Sequence, residues 1–435
     1  MGINAEWPKV WKSEGCEYVI DNIKCRTIFI DAQILLMKSF VKDTDLTWRE
    51  FIQRSFCAVI TRHHAKFDTV ILCFDNYDSV PIFKSIEQNK RVSTNKSDFE
   101  FKRGDLLPDA PPPQHVWVQA LQNRSFKSNV ISLITTMIAA EYNPPRKATT
   151  LVIDFVNCIR IDFTTKEKTR NVITEFNSMG ESDVKFMRYV PLFGDICVDS
   201  IDSDVLLIAL FFVTRSNTKN NVFVRRYKTK IEDTLKKRKL ETTVQCKSPK
   251  EYEIIDVKLM GSMLHICMKQ SIDTGSLLID NTHMTTTLMF MTLLCGSDYS
   301  KKLPRIGVKT VWENMHILIP SIIQVTRYID NKFSIDIEEC MNSTISDIYN
   351  HTYQKHMLTH PDAREYGIDV VLAELQSSKL SETIKKQLPN RSSITSMLQN
   401  IEWIINYWQI ENTNPECDMS GVSGFVMQNN RVVFA

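Results

Sequence analysis

Seven acidic residues carry the first chemical signal in this sequence: Asp31, Asp75, Glu181, Asp183, Asp202, Asp204 and Asp298. Two pairs are spaced two apart, Glu181/Asp183 in "MGESDVKF" and Asp202/Asp204 in "SIDSD". On an extended chain such a spacing puts both carboxylates on one side, where they can share one metal ion. Magnesium suits sparse carboxylates, because it wants oxygen ligands and keeps several waters. Gathered carboxylates without a cation raise one another's pKa. Two divalent ions about 4 Å apart would offset that repulsion and clamp both oxygens of a phosphodiester displacement. A single D-x-D pair is more often a solvated surface feature or a helix cap. The set is less ordinary, because four of its parts sit at the ends of apolar stretches expected to be strands.

Those stretches suggest what positions the acids. "TIFIDA" (Thr27–Ala32) ends in Asp31, and "DTVILCFD" runs apolar from Val70 to Phe74 into Asp75. Between them lies a helical pattern, Trp48, Phe51, Ile52, Phe56, Val59 and Ile60, opened by a Thr47/Glu50 capping box. Strand, helix, strand with apolar strands reads as a βαβ unit of a parallel sheet. Ligands in such sheets sit outside the carboxyl ends of the strands, so Asp31 and Asp75 should face one crevice. Ala148–Val156 and Gly194–Ser200 read as further strands. Residues 76–128 read as irregular or loosely helical, with "PDAPPP" (Pro108–Pro113) excluding a regular strand. From about 320 onward the chain reads mostly helical.

Composition bounds the class. The 435 residues are 43% hydrophobic and 24% charged, with a net charge of +2 that neither favours nor excludes an acidic partner. Eleven cysteines lack a CxxC pair, which points to reduced thiols inside the cell. The longest largely apolar runs, Val205–Val213 and Leu288–Gly296, have nine residues each, too short for a membrane helix, and no membrane partner is expected. Residues 215–250 carry twelve Lys/Arg against three acids and are expected to form a mobile insertion or a basic hairpin able to track a phosphate backbone. "KKRK" (Lys236–Lys239) within them resembles a nuclear localisation signal. His351, His356 and His360 lack a nearby acidic or Cys set and read as surface histidines, not a zinc site.

With these motifs on the page, the chain resembles the flap endonuclease/XPG family of structure-specific 5′ nucleases. "MGI" with Gly2 resembles the family's start, "FIDA" and "CFD" its first two metal aspartates, and "GESD" its Glu-x-Glu pair. "IDSD" is similar to its "EDSD", and the nineteen residues from Asp183 to Asp202 match its interval. "LCGSDYSKKLPRIGVKTV" resembles its G-x-DY…GIG-x-K signature, which gives Asp298 and the start of a helix–two-turn–helix. "FKSIEQNKR" resembles a basic segment whose Lys and Arg reach the scissile phosphate, placing Lys84 and Arg91 in those roles. Arg305 stands where the family has the first glycine of GIG, which argues against the potassium ion often held there. The likeness covers roughly residues 1–92 and 178–315. The degree of divergence would suit a virus-encoded or fast-evolving copy.

The resemblance implies an α/β fold, a central mostly parallel sheet flanked by helices of the PIN-like 5′ nuclease type, with a helix–two-turn–helix. A nuclease core over residues 1–318 is expected, with 92–130 as an arch or cap, followed by a helical region over 319–435. The implied activity is phosphodiester hydrolysis in flapped, nicked or gapped DNA, of the kind replication, repair and recombination produce. The seven acids would hold two Mg²⁺, with Mn²⁺ as a substitute. Gly2, Lys84, Lys90, Arg91, Arg305, Gly307 and Lys309 would contact DNA. A monomer in the nucleus or a viral replication compartment is expected, and the C-terminal end lacks a sliding-clamp motif. The alternatives are a 5′→3′ exoribonuclease with the same acids, and an inactive nucleic-acid-binding relative.

Overall fold

A computed structural model describes residues 6–13, 18–38, 46–76, 102–113, 116–146, 148–164, 167–174, 180–216, 218–227, 252–272, 280–297, 303, 305–329, 332–353, 363–408, 425–428 and 431–434. Nine strands form the central sheet: β1 (Val19–Ile20), β2 (Thr27–Asp31), β3 (Thr69–Cys73), β4 (Thr149–Asp154), β5 (Cys158–Phe163), β6 (Lys168–Val172), β7 (Ile196–Asp199), β8 (Val222–Tyr227) and β9 (Tyr252–Asp256). Their spatial order is β1-β9-β8-β7-β2-β3-β4-β5-β6. The five central strands, β8-β7-β2-β3-β4, are parallel, and antiparallel strands finish both edges. The fold is thus α/β with a mostly parallel centre, as expected.

The central strands β2, β3, β4 and β7 are largely apolar because both faces are covered. Alternate residues divide between two cores: Phe29, Ile71, Val152 and Val198 enter one, and Ile28, Ile30, Val70, Leu72 and Ile153 enter the other. Ahead of the sheet lies α1 (Trp7–Ser13), and after β2 comes α2 (Ala32–Lys38). The β2–β3 crossover holds α3 (Trp48–Ile52) and α4 (Ala58–His64), joined by a π-helical turn over Gln53–Cys57. Its capping box forms as the sequence indicates: Thr47 caps the Glu50 N–H, and the Glu50 carboxylate accepts from the Thr47 N–H at 3.0 Å. Next come α5 (Trp117–Ala120) and α6 (Arg124–Glu141), whose Trp117 and Phe126 pack against Trp48. Residues 116–130, in the stretch expected to form an arch, are therefore built into the second core; residues 92–101 lie outside the described residues.

The opposite face holds α7 (Ser182–Phe193), α8 (Asp204–Arg215), α9 (Val257–Ser271) and α10 (Asn281–Leu294). Here an expectation fails. The i, i+2 pairs are expected on extended chain, but Glu181/Asp183 and Asp202/Asp204 stand at helix starts, and the apolar run Val205–Val213 lies within α8. A helix buried on all sides is apolar all round and cannot be told from a buried strand by periodicity. Next come α11 (Val308–Glu313) and α12 (Met315–Val325), so the division expected at 318/319 falls inside a helix. The remainder is not only helical. A hairpin, β10 (Thr326–Ile329) with β11 (Lys332–Ile335), precedes α13 (Ile337–Cys340), α14 (Ser346–Tyr353), α15 (Ala363–Ser377), α16 (Glu382–Lys385) and α17 (Arg391–Tyr407). A second hairpin, β12 (Phe425–Gln428) with β13 (Arg431–Phe434), follows.

The basic stretch 215–250 contributes β8 to the parallel centre, and β8 pairs antiparallel with β9 across the undescribed residues 228–251. Arg225 on β8 is directed inward. Its Nε donates to Asp199 Oδ1 at 3.1 Å, and its guanidinium lies over the Tyr252 ring. Asp199 and Arg225 are register partners on neighbouring strands and both are largely buried. Arg225→Met would leave Asp199 buried without its cation. It is expected to cost about 3–5 kcal/mol in urea denaturation, with most recovered in Arg225→Met/Asp199→Leu. A loss below about 1 kcal/mol in the single variant would contradict this account of the pair.

Candidate functional site

Chain order reverses direction at β2, whose neighbours are β3 on one side and β7 on the other. A ligand crevice forms outside the carboxyl ends at such a point. Asp31 is the last residue of β2, and Asp75 stands two residues beyond β3. Asp202 and Asp204 follow β7 at the start of α8, and Glu181 and Asp183 open α7.

Asp31, Asp75 and Asp202 share one electrostatic neighbourhood. Burial raises the Asp31 carboxyl to about 7, and the charges of Asp75 and Asp202 push it the same way. Hydrogen bonds from the Gln33 N–H (3.0 Å to Asp31 Oδ1) and from Ser182 act in the opposite direction. Asp75 is gripped by the first turn of α7: Ser182 N and Oγ both donate to its Oδ1, at 2.8 and 2.9 Å. Asn76 N donates to the Gly180 carbonyl at 3.1 Å, and Gly180 takes φ +91°, which glycine adopts without a Cβ penalty. On α8, Asp204 N donates to Asp202 Oδ1 at 3.3 Å, and Asp202 N to Ser200 Oγ at 3.1 Å. Acids at both helix starts are favoured by the positive ends of the helix dipoles. Even so, Glu181 and Asp204 are each 1% exposed, deep burial for carboxylates whose task is only to cap.

Among the described residues, no three His, Cys, Asp or Glu side chains stand close enough to hold a single metal ion. The donor set nonetheless fits a hard cation: every member is a carboxylate, and magnesium bound through its own waters needs few direct ligands. Asp298, Gly2, Lys84, Lys90 and Arg91 lie outside the described residues. Of the residues expected in the helix–two-turn–helix, Arg305 takes φ +66°, so an arginine occupies the left-handed conformation where a glycine would be unstrained. Gly307 is extended, caps α11 and has open space where a Cβ would go. Lys309 is exposed and pairs with Glu313 at 3.6 Å. Buried Leu303, Ile306 and Val308 root this segment, and Trp312 meets Trp7 of α1 edge-on at 6.1 Å.

Two features near the acids were not anticipated. Lys127 on α6 feels Asp75 and Asp31; burial lowers its ammonium to about 8 against their pull. Asp154 closes β4 as Asp31 closes β2, and it pairs with Lys185 of α7, both wholly buried. The signal for Asp154 was present, since "TTLVID" repeats the pattern of "TIFID". Asp199, which is not among the seven acids, is paired with Arg225. His351 is exposed on α14; His356, His360 and Lys236–Lys239 lie outside the described residues. Among the described residues no helix is long and apolar enough to cross a membrane.

No protein-family model and no curated protein matches the chain. Among solved structures, it is similar to the catalytic core of Rad2 in complex with DNA substrate. One such complex has 12% identity and a TM-score of 0.37, covering 91% of this chain and 86% of that one. A second has 12% identity and a TM-score of 0.35, with 90% and 98% covered. A third has 13% identity and a TM-score of 0.33, with 72% and 67% covered.

The raised Asp31 carboxyl has a consequence for stability. Below pH 3.8 both folded and unfolded chains hold this proton; between 3.8 and about 7 only the folded chain does, so rising pH weakens folding. Above pH 7, without divalent ions, Asp31→Asn is expected to be more stable than wild type by up to about 4 kcal/mol. The difference should vanish below pH 3.8, and equal melting temperatures above pH 7 would contradict it.

Proposed function

We propose that the chain is a divalent-metal-dependent nuclease that hydrolyses phosphodiester bonds in flapped, nicked or branched DNA. The observation that carries this reading is the electrostatic coupling of Asp31, Asp75 and Asp202 in one crevice at the switch point of the sheet. An Asp31 carboxyl raised by burial and by the charges of Asp75 and Asp202 makes chemical sense if a cation neutralises the group. The likeness of "FIDA", "CFD", "GESD", "IDSD" and "GSDY" to the flap endonuclease/XPG motifs supports the choice of phosphodiesters as substrate.

In this reading Asp31, Asp75, Glu181, Asp183, Asp202, Asp204 and Asp298 hold two Mg²⁺ directly or through water. When bound, the ions supply an acidified water and neutralise charge on the departing oxygen. The chain's own residues prepare the site. Ser182 orients Asp75 with two hydrogen bonds, and the Gln33 N–H fixes Asp31. Lys84 and Arg91 bind the scissile phosphate, where positive charge stabilises the transition state. Lys127 keeps a further ammonium beside Asp31 and Asp75. Lys90, Arg305, Lys309 and the main chain at Gly2 and Gly307 hold the DNA backbone, a contact that fixes register without reading sequence.

The test offers 5′-flap, nicked and single-stranded DNA and RNA with Mg²⁺ to wild type and Asp204→Ala. Wild type should cut the flap or nicked DNA, and Asp204→Ala should lose roughly two orders of magnitude or more. Cleavage of RNA alone would make the chain a 5′→3′ exoribonuclease. Absence of cleavage by wild type on every substrate would leave a nucleic-acid-binding relative. Undiminished cleavage by Asp204→Ala would overturn the site.

A further inference from the structure

Asp154 and Lys185 form an ion pair with no exposed surface on either side chain, Nζ to Oδ1 3.2 Å. Tyr189, one turn further along α7, donates its hydroxyl to the other carboxylate oxygen at 2.7 Å and lies 3.3 Å from Cys158 Sγ. On α7, Val184 and Phe186 flank Lys185 and, with Met187 and Val190, are buried and apolar. A methionine would fill such a position without the desolvation that a lysine suffers. The ammonium therefore calls for a use, and its second bond supplies one. Lys185 Nζ donates to the main-chain carbonyl of Phe74 at 2.9 Å, immediately before Asp75.

Three consecutive residues are thereby tied to the first turns of α7. Phe74 O is held by Lys185, Asp75 Oδ1 by Ser182, and Asn76 N by the Gly180 carbonyl. On its other side, Phe74 N donates to the Asp154 carbonyl at 2.8 Å, so the same aspartate flanks this joint through main chain and side chain.

We infer that Lys185, seated by Asp154 and Tyr189, is a positioning residue that locks the exit of β3 onto α7 and so sets where Asp75 stands relative to Glu181 and Asp183. This rests on the reading of those acids as the metal site of a nuclease. Lys185 is out of reach of substrate and works through the Phe74 carbonyl. Metal and catalytic groups must be held to within about 0.5 Å by the shell behind them, and losing such support typically weakens metal binding about 10–100-fold.

The test compares wild type with Lys185→Met/Asp154→Asn, which removes both charges so that neither is stranded, and with Tyr189→Phe, which removes one hydroxyl. Melting, Mn²⁺ affinity by calorimetry and cleavage are read for each. The double variant is expected to melt cooperatively, to bind Mn²⁺ at least about tenfold more weakly, and to regain part of its lost cleavage at high Mn²⁺. Tyr189→Phe should show a smaller loss in the same direction. A cooperatively folded double variant with wild-type Mn²⁺ affinity would overturn the inference. If the double variant fails to fold, Tyr189→Phe decides, and unchanged affinity there overturns it. A wild type that neither binds Mn²⁺ nor cleaves overturns the nuclease reading, and this inference with it.

Discussion

Repulsion among carboxylates at the carboxyl edge of a parallel sheet is the constraint on which the rest of this structure depends. Three of the five central strands end in aspartate, β2 at Asp31, β4 at Asp154 and β7 at Asp199, and β3 leads to Asp75 two residues on. Two helices then bring four more acids to their starts. In a low-dielectric setting such charges cannot all be borne without cations, protons or dipoles to match them.

The fold answers each acid differently. Asp154 and Asp199 receive buried cations, Lys185 and Arg225, and are thereby removed from chemistry. Asp75 receives the N-terminus of α7 through Ser182, and Asp202 accepts from the first N–H of α8. Asp31 is left with the Gln33 N–H and Ser182 as donors, the like charges of its neighbours and a carboxyl raised to about 7. This division separates acids that hold the structure from acids that await a ligand, although all arise from the same strand-end pattern. It also explains why the shell behind the site is so polar: the Lys185 ammonium, the Phe74 carbonyl and the Tyr189 hydroxyl fix the joint from which Asp75 projects.

Much of this was legible in the residues themselves. The apolar strands ending in Asp31 and Asp75, the Thr47/Glu50 box and the sharing of one crevice follow from local pattern, since both faces of the sheet are covered. What sequence misled on was the geometry of the i, i+2 pairs. A helix as buried as Asp204–Arg215 shows no polar face, so its sequence reads like a strand, and its leading acids read as extended. Partnerships across the sheet were illegible for a different reason. Arg225 lies 26 residues from Asp199 inside a stretch that looks like a basic loop, and Lys185 lies 31 from Asp154. Nothing local distinguishes a cation turned into the core from one bathed in solvent.

The central claim is that the acids of this crevice are gathered to be neutralised by divalent cations. Calorimetric titration of the whole wild-type chain with Mn²⁺ near pH 7, repeated in buffers of different ionisation enthalpy, tests it most directly. The account predicts saturable binding with release of a fraction of a proton, up to one, as the ion displaces the proton held by Asp31. Absence of saturable binding, or binding with no proton released, would contradict it.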